Sequence, residues 1–274
     1  MSREQVSIPA GPLKEFSSRL FQRVGVPASD AEQMSDTLVE ADLRGVHSHG
    51  VLRMPRYLAA LQSGERNPRP HIRVASDLGT TAIVDGDQGY GQLPSIKAMG
   101  LAIEKAKAHG IAACGVRNSG HFGAAAYYAM MALEEDMIGF STTGGLPCIA
   151  APGGSGLVVG NNPICYAIPA GDELPVVLDM ATSTRAQGWT EYAALAGEKI
   201  PLGWALDTDG NPTEDPHEAI ESNRVVAVGG YKGYGLAVVM DILATILTGA
   251  DWGTRITAKR ATGERVGDGH FFLA

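Results

Sequence analysis

Basic residues are scarce in this sequence, and they do not cluster. The 274 residues include 22 Lys and Arg against 30 Asp and Glu, which gives a formal net charge of −8. Proteins that bind nucleic acids present a basic stripe or a run of Lys and Arg along the phosphates. Because this chain has neither, we expect no nucleic-acid partner.

The sequence also lacks a hydrophobic run long enough to span a bilayer. Its longest apolar stretch, residues 235–249, contains Asp241 and is shorter than the ~20 residues that a transmembrane helix needs. The first residues do not have the basic and then apolar pattern of a signal segment. We therefore expect a cytoplasmic protein with no membrane partner.

Cysteine is rare, and its spacing does not indicate a metal site. The three cysteines are Cys114, Cys148 and Cys165, and none of them pairs as C-x-x-C or with a nearby His. Cysteine outside such patterns behaves as a small hydrophobic residue. The sequence therefore predicts three buried free thiols and no bound metal.

A further absence concerns the common dinucleotide-binding signature. The chain does not open with a strand followed by a G-x-G-x-x-G turn. Helical periodicity instead covers most of the first 45 residues, and residues 71–85 read as a strand pair with a turn. Residues 111–142 then read as strand, helix and strand, the crossover unit that joins parallel strands. These patterns predict an α/β protein with a helical N-terminal region.

Two apolar segments further along the chain are predicted to be buried. Residues 176–178 form a short apolar strand, and residues 232–247 form a helix that is apolar almost all round. Asp241 interrupts this helix, and a carboxylate at such a position must be paired or protonated. We expect Asp241 to have a structural partner rather than a catalytic role.

One segment near the N-terminus carries three different chemistries at steps of four residues. His49, Arg53 and Tyr57 would lie along one stripe if the segment were helical. Arg can hold a carboxylate with two hydrogen bonds, His can exchange a proton near neutral pH, and Tyr adds a neutral donor. Such a stripe suits a small 2-oxo or 2-hydroxy acid, although the same spacing also describes the solvated face of a surface helix.

Pro55 offers another geometry for this segment. A proline inside a helix removes a hydrogen bond but is tolerated in the first turn. The helix would then begin near Met54, and Ser48 and His49 would lie in the turn before it.

A second histidine lies in a glycine-rich loop between a predicted strand and a predicted helix. His121 is flanked by Gly120 and Gly123 in this loop, and loops at strand ends often carry ligand groups in α/β proteins. The alternative is a histidine that caps the following helix or simply occupies a flexible turn.

Two other features allow both a functional and a structural interpretation. Asp179 ends a predicted strand, where its carboxylate could orient a catalytic His, hold a ribose hydroxyl or cap the next helix. The glycine cluster over residues 229–235 contains Lys232 and precedes a helix, so it could hold a phosphate. Its spacing is the reverse of the dinucleotide signature, and tight packing of the turn explains the glycines equally well.

Two further classes of protein could use these residues. A serine hydrolase is disfavoured because Ser48 is adjacent to His49 in sequence and no G-x-S-x-G elbow is present. A binding protein could capture a small anion through Arg53 and Lys232 without chemistry. The ionisable histidines favour an enzyme over such a binding protein, because a protein that only binds a carboxylate does not need them.

Taken together, seven segments in the same order resemble the malate/L-lactate dehydrogenase family. They read SHGVLRMPRY, NSGHFG, APGG, GNNPICYAIP, LDMATST, IPLGWALDTDGNPTEDP and GGYKGYGLAVVMDILATILTGA, and the resemblance runs from about residue 10 to the last residue. The family also includes ureidoglycolate, sulfolactate and cyclic-imine (piperideine-2-carboxylate) oxidoreductases.

The resemblance implies an oxidoreductase that transfers a hydride between NAD or NADP and a small 2-hydroxy or 2-oxo acid. It implies a cofactor fold that is not of the Rossmann type, and a homodimer. A cyclic-imine reductase of the same family and a non-catalytic carboxylate-binding protein are the alternatives. The particular acid and the choice between NAD and NADP stay open.

The family motifs also imply roles for individual residues. The catalytic group falls on His49, Ser48, His121 and Asp179. Either His49 or His121 would carry the proton, and His49, oriented by Ser48 or Asp179, is favoured. Arg53, Tyr57 and His121 are expected to bind the substrate. The residues expected to contact the cofactor are Gly120, His121, Gly145, Asn161, Pro163, Asp179, Met180, Ala181 and Lys232.

The same resemblance suggests a division of the chain and two departures from the family pattern. We expect residues 1–70 to supply substrate residues, residues 71–230 to bind the cofactor, and residues 231–274 to return a buried helix to the N-terminal region. Members often read Thr-Asn-Ser or Thr-Asn-Ala where this chain has Thr143-Gly144-Gly145. Members also continue several tens of residues beyond GHFFLA, so a truncated C-terminal segment is expected.

Overall fold

A computed structural model describes residues 7–154 and 156–274 of the chain as a mixed α/β structure. The helices are α1 (Ala10–Arg23), α2 (Ala28–Leu43), α3 (Met54–Gln62), α4 (Gln92–His109), α5 (Ala125–Met131), α6 (Gln187–Ala196), α7 (Pro216–Ser222), α8 (Tyr231–Asp241) and α9 (Gly253–Thr262). The strands are β1 (Arg73–Asp77), β2 (Thr81–Asp85), β3 (Ala113–Ser119), β4 (Gly139–Thr143), β5 (Pro147–Ala150), β6 (Leu157–Gly160), β7 (Ile164–Ile168), β8 (Val176–Met180), β9 (Ala205–Leu206), β10 (Pro212–Thr213), β11 (Arg224–Val225) and β12 (Asp268–Leu273).

The larger sheet has seven strands in the order β1-β2-β3-β12-β4-β7-β8. The predicted strand pair is the antiparallel hairpin of β1 and β2, and α4 connects β2 to the parallel strand β3. The crossover through α5 leads from β3 to β4, which run in the same direction but are not neighbours. The C-terminal strand β12 lies between them and is antiparallel to both. Residues 231–274 therefore supply a central strand of the sheet that residues 71–180 build.

Helices α4 and α5 cover one face of this sheet with closely packed small side chains. Ala98, Ala102 and Ala129 are fully buried there, against strand residues such as Cys114. The contact between α5 and β4 is tight, because a Cβ added at Gly139 would overlap the carbonyl of Ala129. The main core of the protein is therefore the layer between these two helices and the sheet.

The other face of the sheet is covered by α8 and the π-helical turn Ile242–Ile246 that continues it. Met240 packs there against Phe140 and Ile164. The helix predicted over residues 232–247 is present, but the prediction that it is buried all round is wrong. Only one side of the helix contacts the sheet, and the opposite side exposes Leu236, Val239, Ile242 and Ile246. The helix packs against β4 and β6, and its π-helical turn packs against β12.

Strand β8 was also predicted to be buried, and the structure corrects this. It is the edge strand of the large sheet and pairs only with β7. Val176 is 60% exposed and Leu178 is 45% exposed, because α5 covers only the other face of the strand. Tyr166 in β7 is paired with Leu178 in β8 and with Phe140 in β4, so these three residues lie on the same face of the sheet. Ile164, two residues before Tyr166, also lies on this face. We call Tyr166, Val176 and Leu178, together with the exposed side of α8, the apolar surface.

The smaller sheet has five short strands in the order β10-β9-β11-β5-β6, and α9 packs against β5 and β6. Helices α1 to α3 form a separate cluster in which Phe21, Leu38 and Tyr57 are buried. All three cysteines are free and buried, as predicted. Within the described residues, no helix combines the length and the hydropathy that crossing a membrane requires.

Candidate active site

The end of α2 fixes the turn that carries Ser48 and His49. The carboxylate of Asp42 accepts a hydrogen bond from the backbone N–H of Val51 at 2.8 Å and contacts Nδ1 of His47 at 3.0 Å. Gly50 lies directly against this carboxylate, and a Cβ at that position would overlap it. Asp42 and Gly50 therefore hold the turn in place before α3 begins.

The segment from His47 to Tyr57 is not one continuous α-helix. Residues 47–49 and 51–53 form 3₁₀ turns, and α3 begins at Met54 with Pro55 in its first turn. The single helical stripe is therefore wrong, and the alternative that Pro55 suggested is confirmed. The proline lacks the N–H that a helix interior needs, so the helix begins just before it.

The turn nevertheless brings the predicted groups together. The Oγ of Ser48 is 2.9 Å from Nδ1 of His49, and the Nε of Arg53 donates to the carbonyl of Ser48 at 2.5 Å. Within residues 7–154 and 156–274, the two Nη groups of Arg53 make no hydrogen bond or ion pair. The first turn of α6 borders them, since a Cβ at Gly188 would lie 3.9 Å from Nη2 of Arg53. A guanidinium held at one end and free at the other is suited to bind a carboxylate.

The loop after β3 places His121 beside Tyr57. The Tyr57 hydroxyl is 2.5 Å from Nδ1 of His121, and the backbone N–H of Gly123 donates to the same nitrogen at 3.2 Å. A backbone N–H can only donate, so Nδ1 is the unprotonated nitrogen of the neutral ring and Tyr57 donates to it as well. The proton of the neutral ring is therefore on Nε2. His121 is an N–H donor with a fixed tautomer.

The two histidine rings stack on each other. Their centroids are 5.5 Å apart and their planes are inclined by 19°. Burial, together with the charge of Arg53, lowers the pKa of His49 to about 4. Burial, with the neighbouring His49 and Arg53, also holds the pKa of His121 well below its usual value. Both rings are therefore neutral at pH 7 when the site holds no anion.

Among the described residues, no hydrogen bond joins Asp179 to this pair of rings. Its Oδ2 accepts a hydrogen bond from the backbone N–H of Ala126 at 2.9 Å, in the first turn of α5. The carboxylate thus caps a helix, as the structural interpretation suggested, but the helix is α5 and not the next one in the chain. Of the two groups proposed to orient His49, Ser48 is the one that touches it in the described part of the chain.

The segments expected to contact the cofactor lie side by side in the sheet. Met180 pairs with Ile164, which brings Ala181 close to Asn161 and Pro163. The side-chain oxygen of Asn161 accepts a hydrogen bond from the backbone N–H of Ser183 at 2.9 Å. The structure therefore joins two of the predicted segments at the ends of β7 and β8.

Asp241 has the structural partner that the sequence predicted. Asn162 donates to the Asp241 carboxyl at 3.2 Å and to the carbonyl of Ala237 at 3.0 Å, while its own oxygen accepts from the N–H of Gly145 at 3.1 Å. Burial, partly offset by the Asn162 donor, raises the pKa of Asp241 to about 6. Asn162 was missed from the sequence, although it lies in the GNNP segment.

Lys232 is exposed in the first turn of α8, and no contact joins it to the histidine pair in the described residues. Gly229 and Gly230 precede the helix with φ of 60° and 63°, in the region that favours glycine. Gly233 lies against the backbone of Val228, where a Cβ would overlap the carbonyl. Close packing accounts for Gly233, and the N-terminus of α8 has no side-chain cap.

The chain matches known proteins over nearly its whole length. A family model described as malate/L-lactate dehydrogenase matches residues 8–274. Malate dehydrogenase of Pyrococcus abyssi is 41% identical, with 98% of this chain covering 75% of that protein. L-sulfolactate dehydrogenase of Methanocaldococcus jannaschii is 42% identical, with 95% of this chain covering 75% of that protein. The crystal structure of malate dehydrogenase from Entamoeba histolytica has a TM-score of 0.94 at 32% identity, with 98% of this chain covering 78% of that one.

These matches define an α/β oxidoreductase of the hydroxyacid dehydrogenase class, whose reaction requires a nicotinamide cofactor. Within that class, the chain belongs to the malate/L-lactate dehydrogenase family. The resemblance read from the seven segments is confirmed, and so is the non-Rossmann fold expected from it. The chain spans about three quarters of the length of these relatives.

Proposed function

We propose that this protein interconverts a small 2-hydroxy acid and the corresponding 2-oxo acid with NAD or NADP, in the site formed by Ser48, His49, Arg53, Tyr57 and His121. The observation that carries the proposal is the free end of the Arg53 guanidinium beside two stacked neutral imidazoles. A 2-hydroxy or 2-oxo acid needs a cation to bind its carboxylate. It also needs a nearby group that can exchange a proton with its hydroxyl or carbonyl oxygen.

Arg53 binds the substrate carboxylate. Its Nε is occupied by the Ser48 carbonyl, so the two Nη groups are left for the ligand. Hydrogen bonds of this kind to a charged partner contribute about 1.5–3 kcal/mol each. The bound carboxylate also offsets the positive charge that lowers the pKa of His49 and His121. Substrate binding therefore makes the site more basic than it is when empty.

His121 donates a hydrogen bond from Nε2 to the oxygen at C2 of the acid. Its tautomer is set by the Tyr57 and Gly123 donors at Nδ1, so the ring does not need to be charged for this role. A preorganised donor in a buried site stabilises negative charge that develops on the substrate oxygen. Tyr57 keeps the ring in the orientation that this requires.

His49 carries the proton. In the direction of oxidation, Nε2 of His49 accepts the proton of the substrate hydroxyl while Ser48 accepts from Nδ1–H. In reduction the same proton returns to the 2-oxo oxygen. General acid-base catalysis of this kind contributes on the order of 10²–10⁴ in rate.

Several features of the chain fit a nicotinamide cofactor. The uncapped N-terminus of α8, with Lys232 in its first turn, offers backbone N–H groups and a cation to a phosphate. A side chain at Gly145 would meet open space, so this loop leaves room for a ligand. When bound, the cofactor donates or accepts the hydride at C2 of the acid. We propose that Lys232, Gly120, Gly145, Asn161 and the 179–181 segment line its site.

We further propose a cytoplasmic homodimer that buries the apolar surface. Monomeric proteins rarely expose large apolar patches, and Leu236, Val239 and Ile242 are exposed on one side of α8. A second copy of the chain is the occupant that the resemblance implies. Val239→Asp should convert a dimer into a monomer in analytical ultracentrifugation, whereas a monomeric wild-type chain would contradict the proposal.

The proposed function is tested by following NADH and NADPH oxidation with a panel of 2-oxo acids and cyclic imines. Turnover of a 2-oxo acid supports the proposal, and turnover of cyclic imines alone would replace it with imine reduction. Arg53→Lys should raise KM by about tenfold or more, because a lysine cannot hold the carboxylate with a planar fork. Arg19→Lys, an exposed change on α1, is the matched control. No turnover with tight carboxylate binding retained would favour a binding protein instead.

A further inference from the structure

Besides His49 and His121, a third histidine, His270, is buried in the larger sheet and takes no part in the chemistry proposed above. His270 is in the central strand β12 and is fully buried. Its Nδ1 is 2.7 Å from the Thr143 hydroxyl, and its Nε2 is 3.1 Å from the Ser119 hydroxyl. Both ring nitrogens are therefore engaged, one with the end of β4 and the other with the end of β3.

The hydrogen-bond distances favour one direction of donation through this group. The Thr143 hydroxyl donates to the carbonyl of Gly269 at 3.1 Å, which leaves its oxygen to accept from Nδ1–H of His270. The Ser119 hydroxyl then donates to Nε2, since its alternative acceptor, the carbonyl of Gly120, is 3.5 Å away. Burial lowers the pKa of His270 to about 3, so the ring is neutral throughout the physiological range.

His270 also packs against the residue that follows His121. Its ring lies 4.7 Å from the ring of Phe122, with the planes inclined by 12°. Gly91 closes the other side, where a Cβ would come within 2.8 Å of Nε2 of His270. One imidazole therefore holds Ser119 by a hydrogen bond and Phe122 by stacking, and His121 lies between these two residues in the chain.

We propose that His270 is a positioning residue that fixes the loop of His121 relative to the end of β4. The proposal rests on the proposed function, because the loop matters only if His121 contacts the substrate. At the other end, Thr143 directly precedes Gly144 and Gly145, the loop proposed to line the cofactor site. The fully buried imidazole thus connects the substrate side of the proposed site to its cofactor side.

A purely apolar residue would fill the same space without this connection. His270→Phe keeps an aromatic ring for Phe122 but leaves the hydroxyls of Ser119 and Thr143 without their partner. His270→Gln places an amide near the Nε2 position and can restore the link to Ser119. The two variants therefore separate the packing role of the ring from its hydrogen bonds.

The expected result is a split between kcat and KM. His270→Phe should lower kcat by about a hundredfold with KM for the 2-oxo acid changed less than threefold, and His270→Gln should recover at least tenfold of that loss. Val84→Ala, at a fully buried position in β2, is the control for lost stability and should keep kcat near the wild-type value at a similar loss in Tm. A kcat for His270→Phe no lower than that of Val84→Ala would overturn the proposal.

A second readout does not depend on activity. In histidine-selective ¹⁵N spectra, the wild type should show His121 with its proton on Nε2, and Ser119→Ala and His270→Phe should both broaden or shift that signal. An unchanged His121 signal in both variants would overturn the positioning role. A changed signal in a protein that turns over no 2-oxo acid would support the positioning role and reject the proposed function.

Discussion

The hydroxyl of Tyr57 donates a hydrogen bond to Nδ1 of His121 at 2.5 Å, across 64 positions of the sequence. This contact joins the first turn of α3 to the loop after β3. Together with the N–H of Gly123, it sets the tautomer of His121 and leaves the ring proton on Nε2. The substrate side of the site therefore depends on the packing of the N-terminal helices against the sheet.

Removing this hydroxyl should weaken catalysis without unfolding the protein. In Tyr57→Phe, His121 keeps only the Gly123 donor at Nδ1, so its pKa should rise because one interaction that opposes protonation is lost. A hydrogen bond of this type contributes about 0.5–1.5 kcal/mol, so kcat should fall by up to about tenfold. Steady-state kinetics and an NMR titration of His121 measure the two effects.

Tyr90→Phe is the matched control for that substitution. Tyr90 stacks on Tyr57 and its hydroxyl donates to the Tyr57 backbone carbonyl at 3.4 Å, with no contact to a histidine among the described residues. Tyr90→Phe therefore removes one hydroxyl from the same cluster of aromatic side chains, and it should leave kcat and the pKa of His121 near the wild-type values. Equal effects of the two variants would mean that Tyr57 acts only through packing.

Asp241 should make the protein less stable as pH rises. Burial raises its pKa from 3.8 to about 6, so the contribution of the neutral carboxyl is fully present below pH 3.8 and is lost as pH rises through about 6. Asp241→Asn removes this titration and still lets Asn162 donate to the side-chain oxygen. At pH 8 the variant should be more stable than the wild type by roughly 2–3 kcal/mol, with the difference vanishing near pH 4.

Urea unfolding at pH 4, 6 and 8 measures this difference. Asp172→Asn, in an exposed loop, is the control and should shift the free energy of unfolding little at any of the three values. A variant that is less stable than the wild type at pH 8 would show that the ionised carboxylate is favoured in the folded protein.

Gly144 and Gly145 should respond differently to substitution. A Cβ at Gly144 would overlap the Cγ2 of Thr245, a fully buried side chain whose hydroxyl is bound to the Asp241 carbonyl. Gly145 is adjacent, and a Cβ there would meet open space. Gly144→Ala should therefore cost about 1–3 kcal/mol, and Gly145→Ala should cost little. Thermal unfolding of both variants compares them, and equal losses in Tm would contradict the packing described here.

The sequence predicted the parts of the fold that depend on local pattern. The strand pair expected over residues 71–85 is the β1–β2 hairpin, and the strand, helix and strand expected over residues 111–142 are β3, α5 and β4. Pro55 also indicated correctly where α3 begins, because its effect on a helix is local. Ser48, His49, Arg53, Tyr57 and His121 were identified from their chemistry and motifs, and direct contacts link them all.

Features that depend on tertiary packing were not predictable in the same way. The apolar pattern of α8 could not show that only one of its sides meets the sheet. Asp179 caps α5 because the edge strand β8 lies beside that helix, a contact 53 positions apart in sequence. His270 and Asn162 look unremarkable in sequence, since nothing local marks a buried polar side chain whose partners are distant.

The most direct test of the account is the pH dependence of kcat in His49→Asn and His121→Asn, measured with saturating cofactor. If His49 carries the proton and His121 is a neutral donor, His49→Asn should lower kcat at least a hundredfold and flatten the profile. His121→Asn should lower kcat about tenfold or more and keep the shape of the profile. Losses of less than about tenfold in both variants would contradict the assignment of proton transfer to this pair.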